Sequence, residues 1–245
     1  MRRAVGALEH LDRRVPAGDR DASLADIERL NAWFGGYWLT LRQIGHVAAR
    51  ALVARRLVIV DVGGGRGDFA RRIERWAWRT GRQVRVIVAD REGLGPPGFV
   101  RVRADATALP FREEAADVVT ASLLLHHLEP AAAVRCLAEM RAAARLAVVV
   151  NDLFRSRLTL ALVWLATRIF ARHPFSRHDG PLSVRRAYSP DELAALADTA
   201  GLRVRIHRYR LLGRVVVVSE CLPRTAAEPR EGPHGAARQP RERPV

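Results

Sequence analysis

The sequence predicts an α/β protein: a seven-stranded, mostly parallel sheet that ends in an antiparallel hairpin, preceded by helices. Three observations predict it. From about residue 57 onward, short apolar runs alternate with segments of helical periodicity, the pattern of a sheet covered by helices. The run Leu57-Val-Ile-Val-Asp61 meets a helical repeat through the glycine-rich turn Val62-Gly63-Gly64-Gly65-Arg66-Gly67-Asp68. Near the end, strand-like runs at 202–209 and 214–220 are joined through Leu211-Leu-Gly213. Parallel strands need a crossover of a dozen or more residues, so these two pair antiparallel.

Taken in order, residues 1–20 are charged and carry Pro16-Ala-Gly18, which reads as a flexible N-terminus. Ser23 is placed to cap a helix on which Ile27, Leu30 and Phe34 share one face. Asn31-Ala-Trp33-Phe34-Gly35-Gly36-Tyr37 interrupts it, and a second helix runs to about Arg55. Strands are expected near 57–62, 84–89, 100–103, 116–121 and 146–151, with helices near 68–79, 131–144 and 153–172. The stretch from Arg172 to Tyr188 reads as a loop insertion rich in titratable and aromatic groups. Ser189 is a natural cap, Pro190 suits the first helical position, and Gly201 ends that helix. Pro, Gly, Arg and Glu dominate 223–245, which reads as a disordered tail. The division is therefore 1–20, a helical segment 21–55, a core 56–222 and the tail.

Composition bounds the partners. A chain of 245 residues, 49% hydrophobic, suits one α/β domain. It contains no lysine: all 41 basic residues are arginine, and the net charge is +15. The arginines are scattered and not interleaved with aromatics, which reads as a solvated surface rather than a nucleic-acid site. Cys136 and Cys221 alone make neither a disulfide framework nor a zinc site, and no metal is expected. Arg2 and Arg3 precede no apolar core, so no signal peptide is read and the cytoplasm is the expected compartment. Leu153 to Phe170 is apolar, but Arg155, Arg157 and Arg168 leave an uncharged stretch shorter than the roughly 20 residues of a membrane span. A buried helix is expected there, with a helix lying at a membrane surface as the alternative.

The glycine turn discriminates between cofactors. The dinucleotide pattern G-x-G-x-x-G would need glycine at Asp68, and a P-loop needs a lysine the chain lacks. What remains is D-x-G-x-G-x-G from Asp61 to Gly67, where an acid at a strand tip suits a cationic amino group. This segment resembles the first motif of class I S-adenosylmethionine-dependent methyltransferases. Val84-Arg-Val-Ile-Val-Ala-Asp90 is a second strand ending in an acid, the position that accepts from ribose hydroxyls in such folds. Val100-Arg-Val-Arg-Ala-Asp105-Ala106-Thr-Ala-Leu-Pro110-Phe111 is similar to the "GDA…LPF" segment of ubiquinone/menaquinone-type methyltransferases. Ala116 to Pro130, with His126 and His127, resembles that family's fourth strand and the segment after it.

The resemblance implies a Rossmann-like fold, an N-terminal helical lid over the ligands, and S-adenosyl-L-methionine as cofactor. The cofactor residues it implies are Asp61, Gly63, Gly64, Gly65, Gly67, Asp90, Arg91, Asp105, Ala106 and Ser122. Asp105 would bond the adenine amino group, and the backbone of Ala106 a ring nitrogen. His126 and His127, after the fourth strand at the ligand-binding edge, are the candidate catalytic bases. Trp33, Tyr37, Asp152, His178, Asp179, Arg185 and Tyr188 are the candidate acceptor contacts. The Asn-x-x-Phe-Gly-Gly segment and His178-Asp-Gly-Pro-Leu-Ser183 resemble bacterial methyltransferases of polyketide and phenolic-lipid pathways. The expected reaction is O-methylation of a small, lipophilic phenolic, polyketide or quinone-like acceptor. The alternatives are C-methylation of a quinone-type ring, RNA methylation and a non-catalytic cofactor-binding protein.

Overall fold

The computed structural model describes residues 1–50, 56–92 and 98–221. The expected tail at 223–245 and the end of the second helix, 51–55, lie outside them. Five strands, β1 (Leu57–Val62), β2 (Val84–Asp90), β3 (Val100–Arg103), β4 (Ala116–Ser122) and β5 (Ala144–Leu153), run parallel. β6 (Arg205–Tyr209) and β7 (Arg214–Glu220) close the sheet as the antiparallel hairpin. The order is β3-β2-β1-β4-β5-β7-β6, so β7 lies between β5 and β6 and opposes both.

Side chains alternate across the pleat, and both faces are apolar because both are covered. Ile59, Val118, Val149 and Val216 pack against α2 (Gly36–Arg50) and α3 (Asp68–Arg79). Val60, Val119, Val150 and Val217 face α4 (Pro130–Ala143) and α7 (Pro190–Thr199). Ser189 and Glu192 form a reciprocal capping box at the start of α7. The remaining helices, α1 (Ala17–Trp33), α5 (Arg157–Phe170) and α6 (Pro174–Arg186), gather beyond the C-terminal ends of the parallel strands.

The structure departs from the sequence reading in four places. The first helix starts at Ala17 after Pro16, and Ser23 lies inside it. Its hydroxyl meets Ser176 Oγ at 3.1 Å instead of capping. The segment read as a loop at 172–188 is largely α6. His173 caps it by accepting from the Phe175 N–H, Pro174 takes the first turn, and Pro181 is carried inside at the loss of one ladder bond. The N-terminal segment read as flexible is laid against the molecule. Arg3 donates to the Arg186 and Leu128 carbonyls and pairs with Glu129, and Glu9 is buried. Of the two helices expected as a lid, α2 packs on the sheet and reaches the ligand space through Tyr37 alone, whereas α1 lines it from Arg20 to Asn31.

Candidate active site

A cavity of about 810 Å³ opens over the tips of β1 to β5, the edge at which open α/β sheets bind ligands. One end is the glycine turn. Gly63, Gly65 and Gly67 all have positive φ, which glycine adopts without a Cβ penalty. A Cβ on Gly64 would lie 2.6 Å from Asp61 Oδ2, so the chain can pass the acid only as glycine. Above Gly65 there is open space. Arg101 fixes the turn from behind, donating to the Gly65 and Arg66 carbonyls at 3.0 Å each. Asp61 is buried, and its Oδ2 has no hydrogen-bond partner. Burial, then the charges of Asp68 and Asp90, push its carboxyl well above the usual range. This oxygen is short of a cationic donor.

The turn continues into two further acids. Asp90 Oδ2 accepts from the Gly65 N–H and Oδ1 from the Glu92 N–H, both at 2.9 Å. Asp105 Oδ1 accepts from the Thr107 N–H and hydroxyl at 2.7 Å. Those bonds hold its carboxyl below the usual range and leave Oδ2 free of them. Arg91, Ala106 and Ser122 line the same space. Gly67 stands behind it, against Phe99 and Arg101.

The other end is a buried ionic cluster. His126 Nδ1 lies 2.6 Å from Asp152 Oδ1, and the His126 N–H donates to Oδ2 of the same carboxylate. His127 Nδ1 lies 2.8 Å from Asp12 Oδ1. A carboxylate can only accept, so each Nδ1 carries the proton and each Nε2 keeps a lone pair in the neutral ring. Both Nε2 atoms are turned to Glu9, at 4.0 Å from His126 and 3.9 Å from His127. Burial opposes ionisation of Asp152, yet the His126 charge and hydrogen bonds hold its carboxyl below the usual range. Burial pushes the Glu9 carboxyl up to about 7 against the pull of His127 and Arg186. Arg186 ties the cluster together, bonding Asp12, Glu9 and the His127 carbonyl.

Of the expected acceptor contacts, Tyr37 and Asp179 line the cavity. Tyr37 donates to Asp68 and stacks on Phe69. Asp179 accepts from the His10 N–H and both neighbouring histidine rings. Asp152 stands one layer back, behind His126. Trp33, His178, Arg185 and Tyr188 are not among the lining residues. Trp33 packs edge-on to Phe170, and the Arg185 side chain is exposed. Tyr188 is buried, donating to the Leu128 carbonyl. Sequence reasoning missed Glu9, Asp12 and Arg186. They meet His127 across separations of more than 50 residues, and no local pattern marks them. It also missed Arg214, buried in the cavity wall with only Nη2 bonded, to Asn31 Oδ1.

A family model described as a methyltransferase domain matches residues 60–145, from β1 to the start of β5. A search of the curated proteins finds no match. Among solved structures, a chain from the complex of the Haloferax volcanii Trm112 methyltransferase activator is 17% identical, with a TM-score of 0.50. The match covers 82% of this chain and 96% of that one. An S-adenosylmethionine-dependent methyltransferase from Aquifex aeolicus is also 17% identical, covering 68% and 82%, with a TM-score of 0.46. The pyocyanin biosynthetic protein PhzM is 23% identical, covering 71% and 53%, with a TM-score of 0.48. At these identities the likeness is one of fold. The residues present fit the adenosyl cofactor: an orphaned buried carboxylate oxygen, glycines that leave room beside it, and two further acids on the same wall. Residues 60–145 thus match a methyltransferase-domain model, the chain has the fold of the class I methyltransferases, and its site fits S-adenosyl-L-methionine.

Proposed function

We propose that the chain methylates an oxygen of a small, lipophilic phenolic, polyketide or quinone-like acceptor, with His126 as the general base. The observation that carries this reading is the Asp152–His126 pair, which anchors the ring at Nδ1 and leaves Nε2 in the cavity wall, the atom that takes a proton when the ring is neutral. Bound S-adenosylmethionine supplies a methyl group activated by its sulfonium. Asp61 would hold the cofactor's ammonium, Asp90 its ribose hydroxyls, and Asp105 with Ala106 its adenine. His126 Nε2 takes the proton of the acceptor hydroxyl, and Asp152 stabilises the imidazolium that forms. Glu9 lies buried beside both rings, 4.0 Å from the Nε2 of His126 and 3.9 Å from that of His127. The rest of the wall, Leu24, Ile27 and Leu30 of α1 with Leu162, Val163 and Ala166 of α5, is apolar and excludes water.

The test is transfer of labelled methyl to a panel of phenolic and quinone acceptors, with the product assigned as ether or ring-methylated carbon. His126→Ala is expected to lower turnover by about 10²–10⁴ and to leave S-adenosylhomocysteine affinity unchanged. Wild-type turnover in that variant would remove His126 as the base. A ring-carbon product would favour C-methylation.

A further inference from the structure

α5 is built inside out. Its two buried side chains are threonines, Thr159 and Thr167. The reason is close packing against glycines. A Cβ on Gly213 would lie 2.7 Å from Thr159 Cγ2, and one on Gly180 2.6 Å from Thr167 Cγ2. Leu160 and Val163 are half-buried beside the threonines, packed on Leu153, Val184 and Ala187. Four large apolar side chains point outward: Leu158 is 45% exposed, Trp164 50%, Leu165 49% and Ile169 61%. Trp33 of α1, also exposed, continues the patch through its edge contact with Phe170 at 5.1 Å. Leu211, on the hairpin turn, is 81% exposed. A contiguous apolar patch of this kind marks an interaction surface.

Charge identifies the partner. The helix has no acidic residue, and its outer face carries Arg157 and Arg168. The Arg168 guanidinium lies 5.4 Å from the Trp164 ring centroid, the pairing of a cation with an interfacial tryptophan. Two copies joined through this face would bring like charges together, whereas anionic headgroups would neutralise them. The patch is also the rim of the cavity, since Leu165, Ile169, Phe170 and Leu211 line it. With 14 residues, α5 is about 21 Å long, too short to cross a bilayer core of about 30 Å. No helix among the described residues is long and apolar enough to cross one.

We propose that the outer face of α5, with Trp33 and Leu211, docks on the surface of an anionic lipid bilayer. The cavity mouth then faces the lipid, and a greasy acceptor enters from it. The acceptor's entry rests on the proposed function; the docking does not.

The experiment is co-sedimentation of the full chain with vesicles of phosphatidylcholine, with and without phosphatidylglycerol, alongside S-adenosylhomocysteine calorimetry. Sedimentation with the anionic vesicles is expected, falling about tenfold or more in Leu158→Gln/Trp164→Gln. Neither residue lines the cavity, so nucleoside binding should persist and certify the fold. Arg157→Gln/Arg168→Gln should erase the preference for phosphatidylglycerol. Wild-type protein that binds S-adenosylhomocysteine but stays in the supernatant overturns the docking. So does undiminished sedimentation of the Leu158/Trp164 variant. A wild-type dimer that this variant dissociates, with no vesicle binding, would assign the face to a second copy instead. Loss of nucleoside binding by wild-type protein would count against the proposed function and leave the vesicle result to be read on its own.

Discussion

At the scale of single residues, two carboxylates invite opposite experiments. Glu9 is buried in the histidine cluster, and burial raises its carboxyl from 4.5 to about 7. Between those values the native state holds a proton the unfolded chain has released. Stability therefore falls as pH rises from about 4.5 to about 7 and levels off above, by up to about 3 kcal/mol for a shift of this size. Glu9→Gln removes that titration. Denaturant melts at pH 5 and pH 8 should show the variant gaining on the wild type as pH rises; a constant difference would show that Glu9 titrates normally. Asp90 acts through bonds it already makes. Its carboxylate fixes the Gly65 N–H, the floor of the nucleoside end. Asp90→Ala loses that bond and, with it, the ribose contact proposed for this carboxylate. A hydrogen bond to a charged group contributes about 1.5–3 kcal/mol, so S-adenosylhomocysteine affinity should fall roughly 10- to 150-fold by calorimetry. Unchanged affinity would move the ribose site elsewhere.

At the scale of elements, the helices beyond the strand tips are set by glycines as much as by apolar faces. Gly180, inside α6, lies against α5, where an added Cβ would meet Thr167 Cγ2, part of a stiff β-branched side chain. Gly18, in the first turn of α1, faces nothing within 4 Å. Gly180→Ala should therefore destabilise by about 1–3 kcal/mol through overpacking, a drop of several degrees in Tm. Gly18→Ala should stabilise by about 0.4–1 kcal/mol by restricting the unfolded chain. Equal melting shifts for the two would refute the close α5–α6 packing. The same elements mark where the sequence is readable. β1, β4, β5 and β7 are valine-rich runs closed by turn residues, and such runs identify buried strands without tertiary information. α6 was not readable because Gly180 and Pro181 are local helix breakers. Its cap at His173 and its packing on α5 outweigh them. The glycine turn with Asp61, Asp90 and Asp105 was readable because each acid stands within two residues of the end of a strand. The Glu9–Asp12–Arg186 cluster was not, since only the fold brings it to His126 and His127.

At the scale of the whole molecule, the cavity wall is assembled from the N-terminal segment, α1, α5, α6, the hairpin turn and the tips of the parallel strands. Few of these contacts are local, so a ligand filling the space adds links between parts that lie far apart in the sequence. A ligand that binds the folded state alone stabilises it by RT ln(1 + [L]/Kd), about 2.7 kcal/mol at a hundredfold excess over Kd. For a chain of 245 residues this predicts a rise in Tm of roughly 5–11 °C with S-adenosylhomocysteine. Gly65→Arg places a long side chain in the open space above the turn, at a positive φ of 49°. The variant should melt somewhat lower on its own, through the strained backbone, and should lose the ligand-induced rise. The two effects separate, because strain lowers both melts equally and blocked binding removes their difference. A full rise in Gly65→Arg would mean that the nucleoside does not pass over Gly65, and the assignment of Asp61, Asp90 and Asp105 would fall with it.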